Sequence, residues 1–261
     1  MRFAARFARS LAVAFALYSR IPVPIFEWKE EDMKFNLVFL PWVGAVIGAC
    51  VYACAYAART LDLPLCCQTA LVSAIPLFVT GGFHFDGFMD VQDALRSYRP
   101  REEKLRILKD PRISAFAAIG ALKYAALWVA ALSLLLAVPK LNALAVFAAY
   151  FFTVRAIAGL TAATFKRARK EGMLVEETRG TDRGVVLALA LEIAIGVLAA
   201  IWADPAPGTC AAIAAAACAW NYRRLSLREF GGVTGDTTGY FVARCELAVM
   251  IAVACPAWLL K

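Results

Sequence analysis

Residues 37–58 read LVFLPWVGAVIGACVYACAYAA, a run with no charged side chain. A helix rises about 1.5 Å per residue, so some 20 apolar residues cross the roughly 30 Å of a bilayer's hydrocarbon. This stretch therefore predicts a transmembrane helix. Outward from it, comparable runs fall at about 65–80, 113–136, 141–163, 184–203, 207–222 and 240–260. The second and sixth of these seven are short, and the sixth is mostly alanine, whose insertion strength is low. The chain is 62% hydrophobic and 18% charged, against an apolar share of roughly 45–50% in ordinary soluble domains. The expected fold class is all-α: a polytopic helical membrane protein of about seven transmembrane helices with an N-terminal amphipathic segment. Residues 1–261 are expected to form a single integral-membrane catalytic domain.

The opening MRFAARFARSLAVAFALYSRIPVP resembles a signal peptide superficially. Arg6 and Arg9 interrupt its apolar run and no small-residue cleavage site closes it, so a retained amphipathic segment is expected. Eight cysteines are present, most inside apolar runs and none in a CxxC pair, which reads as packing rather than as a disulfide scaffold or zinc site.

A formal charge of +8 would suggest nucleic acid in a soluble protein; here the basic residues have a topological pattern instead, and no nucleic-acid partner is expected. Segment 1–36 holds six Lys and Arg, 81–112 holds seven and 164–183 holds six, joined by Arg223, Arg224 and Arg228. The opposite side has Arg59, Lys140 and Lys261. Because Lys and Arg are retained in the cytoplasm, the N-terminus and every long loop are expected to face inward from a bacterial inner membrane. Within the spans, Glu192 is expected to pair with Lys123 or another polar group, and Arg155, Arg244 and Glu246 to snorkel toward helix ends.

The chemistry concentrates between Gly81 and Asp93, GGFHFDGFMDVQD. If the chain is helical from Gly87, Asp86, Asp90 and Asp93 at i, i+4 and i+7 share one stripe. Three carboxylates there repel unless a cation sits among them, and oxygen donors of this kind suit Mg²⁺ or Mn²⁺. Basic residues follow in the same loop, Lys109 and Arg112 being the candidates for substrate phosphate. His84, the chain's one histidine, could serve as a base, a metal ligand or a hydrogen-bond partner of an aspartate. The next loop offers Arg169, Lys170 and Glu171 beside Gly172. In FGGVTGDTTGY, glycines surround Thr234 and Asp236, so that Gly232, Thr234 and Gly235 could bring backbone N–H groups to a phosphate while Asp236 completes a metal site. Phe83, Phe85, Phe88 and Tyr98 make the same segment rich in aromatic side chains that could wall a binding space.

At these residues the chain resembles the cobalamin synthase family, the adenosylcobinamide-GDP ribazoletransferases. The resemblance runs through SRIPVP from Ser19, PWVGAVIG from Pro41, TGGFHFDGFMDVQD from Thr80, KDPRISAF from Lys109, ARKEG from Ala168 and GGVTGD from Gly231. It implies a Mg²⁺-dependent, membrane-embedded transferase in which a ribose hydroxyl of alpha-ribazole or its 5′-phosphate attacks adenosylcobinamide-GDP and GMP leaves. Asp86, Asp90 and Asp93 match the family's acidic motif and Asp236 its glycine-rich C-terminal motif. Ala94, Ser114 and Ala117 stand where glycines are usual and Pro111 where serine is, changes of loop flexibility rather than of ligands. Oligomeric state and docking of other cobalamin-assembly enzymes stay open. A CDP-alcohol-type phosphotransferase is the nearest rival, but its longer four-acid pattern is not supplied from Gln92 and Ala94 onward. A transporter of an anionic corrinoid or nucleotide would gather charge at mid-membrane, whereas this chain gathers it in loops.

Overall fold

The computed structural model describes residues 3–24 and 26–260, so Arg2 and Lys261 lie outside the described residues. Long helices form where the apolar runs are: α2 (Asn36–Thr60), α3 (Leu65–Thr80), α6 (Ala115–Leu136), α7 (Asn142–Thr164), α9 (Arg183–Ala203), α10 (Pro205–Leu225) and α11 (Gly235–Leu259). The N-terminal segment is helical as α1 (Phe3–Tyr18), and the loops carry three shorter helices, α4 (Phe83–Arg96), α5 (Arg101–Ile107) and α8 (Met173–Glu177).

Central in the bundle, α7 is buried along most of its length and packs on α2, α9 and α11. Gly44 and Gly48 allow α2 to reach it: a Cβ at either would meet the carbonyl oxygen of Phe151 or Ala148 at 2.1 Å, so the two backbones are in direct contact. Small residues four apart are the usual device for such close crossings in a bilayer, where packing rather than water exclusion holds helices together. The outward faces are apolar. Leu187, Leu191, Ile195, Leu198 and Trp202 line one exposed stripe of α9, and Leu77, Phe78, Leu122 and Leu127 are exposed on α3 and α6. So large an apolar exterior is stable against lipid and would aggregate in water.

Five helices, α2, α6, α7, α9 and α11, are long and apolar enough to span a membrane, and α3 with α4 makes a sixth candidate bent by 92°. The sixth expected span, α10, falls short on apolarity because it is largely alanine, although it has 21 residues and returns the chain along α9 to the opposite end of the bundle. Its small side chains pack tightly: a Cβ on Gly208 would lie 2.5 Å from the Ala200 carbonyl oxygen.

The two ends differ. At one, short connections are tied by Arg59, which donates to the carbonyls of Leu136 (2.6 Å), Val138 (2.7 Å) and Pro139 (3.0 Å) at the end of α6. At the other, the long loops interlock. Arg9 holds buried Asp32 through two bonds of 2.7 and 2.8 Å, and the Arg20 amide donates to the Val79 carbonyl at 2.8 Å. Two interior charges find partners other than those expected. Glu192 accepts from Trp42 Nε1 at 3.1 Å rather than pairing with Lys123. Arg155 does not snorkel, because it lies nine residues, roughly 14 Å, from the end of α7. It is fully buried and donates to Glu246 Oε1 (2.6 Å) and the Phe151 carbonyl (3.0 Å). All eight cysteines are free, as a packing role requires.

Candidate functional site

Gly81 and Gly82 have φ of 64° and 82°, a left-handed conformation that costs glycine little, and they end α3 and turn the chain through 92° into α4. Instead of continuing across the bilayer, α4 lies over the loop-bearing end of the bundle. Two further glycines bring it against the start of α11: a Cβ on Gly87 would fall 2.7 Å from the Asp236 carbonyl oxygen, and one on Gly239 2.7 Å from that of His84. With no side chain in this seam, the acidic face of α4 meets the first turn of α11.

That first turn is firmly set. Thr234 Oγ1 accepts from the Thr237 amide (3.1 Å) and Thr237 Oγ1 from the Thr234 amide (2.8 Å), a reciprocal cap that fixes Asp236. Just before it, Val233 pairs in parallel with the loop after α7, its amide donating to the Lys166 carbonyl (2.8 Å) and its carbonyl accepting from the Ala168 amide (3.0 Å). This pairing sets Arg167 and Arg169 beside α11. Arg169 interacts electrostatically with Asp236 and donates to the Leu105 carbonyl at 2.5 Å, so its guanidinium is held from two sides.

These elements enclose a cavity of about 280 Å³. Its polar walls are Asp86 and His84 from α4, Asp236 from α11, Arg167, Arg169 and Glu171 from the loop after α7, and Glu177 from α8, with Thr234, Gly235 and Tyr18 beside them. The expected aspartate stripe divides at this point. Asp86 faces the cavity. Asp90, one turn on, is half-buried, and its carboxyl is pushed up to about 7 by burial and then by the charges of Asp86, Asp236 and Asp93. Asp93 serves α6: its oxygens accept from the amides of Ser114 (3.0 Å) and Ala117 (2.9 Å) and from the Ser114 hydroxyl, which caps that helix. His84 is buried, and its imidazole is pushed down to about 3 by burial and then by Arg155, so it is neutral, with Nδ1 unpartnered.

Other expected residues are distributed around this centre. Lys109 and Lys170 lie with Arg169 along a shallow outer groove and form a basic rim. Arg112 is largely exposed and bound to Asp110 through contacts of 2.9 and 2.6 Å, away from the cavity. Gly232 faces the loop after α7, where a Cβ would strike the Lys166 carbonyl at 2.4 Å, so it serves the pairing. The four aromatics do not form one wall. Phe83 borders the cavity, Phe85 an apolar groove on α3 and α6, and Phe88 and Tyr98 a third space beside α11, because successive helical positions point in different directions. Three wall residues were not anticipated. Arg167 is one of four basics in KRARK, and only the pairing with Val233 selects it. Tyr18 and Glu177 carry no spacing signal.

The donor set consists of hard carboxylate oxygens, and the mutual repulsion around Asp90 is what a cation would relieve. Among the described residues no three acidic, histidine or cysteine side chains close into a cage. That suits Mg²⁺, which keeps waters and is commonly held by one or two carboxylates together with substrate phosphate oxygens. The adjoining Arg167 and Arg169 are suited to those phosphates.

The sequence pattern of the family described as Cobalamin-5-phosphate synthase matches residues 10–254. The chain is 34% identical over 249 residues to a protein of Lachnoclostridium phytofermentans named adenosylcobinamide-GDP ribazoletransferase, covering 95% of this chain and 94% of that one. Proteins of the same name from Alkaliphilus oremlandii (32% over 257 residues, 97% and 98% covered) and Clostridium botulinum (30% over 249 residues, 92% and 94%) are similar along their full length. No solved structure matches the chain.

Proposed function

The chain belongs to the cobalamin-5-phosphate synthase family, and from that premise we propose that the cavity is where adenosylcobinamide-GDP is joined to alpha-ribazole or its 5′-phosphate with release of GMP. The protein is a transferase of the adenosylcobinamide-GDP ribazoletransferase type, acting in assembly of the cobalamin nucleotide loop.

Asp86 and Asp236, which face the cavity, are the carboxylates that would hold Mg²⁺, with Asp90 one turn along from Asp86 adding to their negative field and Asp93 setting the register of α4 on α6. When bound, the ion supplies charge neutralisation for the diphosphate and for the negative charge that develops on the departing GMP. Arg167 and Arg169 bind diphosphate oxygens from the facing wall, and the backbone at Thr234 and Gly235 presents the N-terminal end of α11 to the same anion. Lys109 and Lys170 draw the anionic substrates toward the mouth. With both substrates held, the hydroxyl oxygen bonds to the phosphorus that carries the corrinoid as the bond from that phosphorus to GMP breaks, and close positioning accounts for much of the rate. A space of about 280 Å³ takes a diphosphate and a sugar, so the corrin ring stays outside it.

The reading is supported most by one juxtaposition: Asp86 and Asp236, remote in sequence, share a cavity with Arg167 and Arg169. The excess of basic residues in the loops at this end supports an orientation toward the cytoplasm of a bacterial inner membrane. Purified protein carrying Asp86→Asn or Asp90→Asn should lose GMP release; wild-type rates in Mg²⁺ would remove the carboxylates from the mechanism.

A further inference from the structure

One wall of the cavity is built from three buried polar groups that the fold leaves unsatisfied. Tyr18 on α1, His84 on α4 and Glu177 on α8 are each at most 7% exposed, and the Tyr18 hydroxyl, His84 Nδ1 and Glu177 Oε1 have no hydrogen-bond partner. The Tyr18 and His84 rings stack at 6.3 Å and 14°. The Tyr18 hydroxyl lies close enough to the Glu177 carboxyl to lower its pKa, but the two meet without a well-aligned hydrogen bond, so both keep capacity for a ligand. Buried unpaired polar groups are rare because each costs desolvation, and three from separate elements lining one cavity mark a place where a hydroxyl-rich ligand completes the network. The same cavity is also lined by Asp86 and Asp236, assigned above to Mg²⁺, and by Arg167 and Arg169, assigned to the diphosphate.

We propose that Tyr18, His84 and Glu177 form the subsite for the attacking sugar, and that the Glu177 carboxylate takes the proton from its hydroxyl. The proposal rests on the transferase reading above. In the step, the O–H electron pair becomes available to form the new O–P bond, the P–O bond to GMP breaks with its electrons going to GMP, and the proton ends on Glu177. Tyr18 and His84 hold the ribose through the polar atoms they leave free. Burial raises the Glu177 carboxyl to about 7, the Tyr18 hydroxyl offsetting this only in part, which is the range that suits a base near neutral pH. The charged and titratable groups around it are Tyr18 from α1, His84 and Asp86 from α4, Asp236 from α11, and Arg167, Arg169 and Glu171 from the loop that leads into α8. Arg167 also donates to the neighbouring Thr178 carbonyl at 3.4 Å.

The test uses the full chain in detergent, with GMP release measured at saturating substrates and saturating Mg²⁺ from pH 5.5 to 9. Wild-type kcat should rise with pH to a plateau above about 7, because the base must be ionised. Glu177→Gln should lower kcat by about 10²- to 10⁴-fold and abolish that rise. It should still bind adenosylcobinamide-GDP, followed by corrin absorbance in equilibrium dialysis. Glu177→Asp should recover part of kcat, and Tyr18→Phe should raise KM for alpha-ribazole several-fold and, by removing the hydroxyl that partly offsets burial, move the rise in kcat to higher pH. Glu177→Gln or, should that variant not bind the corrinoid, Glu177→Ala with the wild-type kcat and pH profile overturns the assignment while GMP release by the wild type upholds the transferase reading. No GMP from the wild type would overturn both.

Discussion

Gly87→Ala inserts one methyl group where the backbones of α4 and α11 touch. Its Cβ would lie 2.7 Å from the Asp236 carbonyl oxygen and 2.9 Å from the Asp236 Cα, backbone atoms that no rotamer change can move aside. Ordinary contact begins near 3.4 Å, so relief of the 2.7 Å approach requires a separation of about 0.7 Å. Gly239, seated against His84 on the same seam, pins the far side, and the helix must tilt rather than slide. Asp86 and Asp90 then withdraw from Asp236. Overpacking of this kind costs about 1–3 kcal/mol, and a misplacement near 1 Å around a reacting centre costs up to about 10²-fold in rate. GMP release by the purified variant should therefore fall by roughly ten- to a hundredfold, more than its modest loss of thermal stability explains. Gly120→Ala is the control, because a Cβ there meets only the flexible Gln92 side chain, at 3.1 Å, and should leave the rate near wild type. A Gly87→Ala enzyme with wild-type kcat would refute the argument that this seam sets the carboxylate geometry.

Asp93→Asn should reduce stability by about 1–2 kcal/mol through loss of the charged cap on α6 while leaving the Mg²⁺ requirement unchanged; a Mg²⁺ titration shifted as far as that of Asp86→Asn would show that Asp93 is itself a ligand. Glu246→Leu leaves Arg155 buried without its counter-ion and should cost about 3–5 kcal/mol in thermal unfolding. Arg155→Met combined with Glu246→Leu should recover much of that loss, and an undiminished single variant would mean the pair contributes nothing. Because the Asp90 carboxyl is held near 7, it carries a proton below that pH and is ionised above it. The Mg²⁺ concentration for half-maximal GMP release should therefore climb as pH drops from 8 to 6, and a requirement constant across that range would contradict the carboxylate assignment.

Much of the fold is legible along the chain because lipid imposes a one-dimensional demand. A run of some 20 uncharged residues is both necessary and nearly sufficient for a crossing helix, so residues 37–58 and their counterparts could be read directly. The ambiguous case was α10, where alanine makes a helix without much apolarity; its place comes from packing, through contacts such as Gly208 on Ala200. Asp86 and Asp236 were legible for a related reason: charge and glycine are conspicuous in a chain this apolar. Tyr18, Arg167 and Glu177 were not, because an aromatic at the end of a helix, one arginine among neighbours and one glutamate beside another look ordinary until distant segments meet.

The sequence by itself determined the membrane fold, the single loop-bearing end with its basic residues, and the families of side chains available there. Those properties depend on composition and on spacing within one segment. Only the tertiary structure decided that Asp93 caps α6 rather than joining the cavity, that Arg155 pairs with Glu246 in the interior, and that Glu177 stands beside Tyr18. Each of these is a contact between elements far apart in the chain, chosen by how closely backbones approach at glycine seams such as Gly87 on Asp236, and local sequence carries no record of such distances.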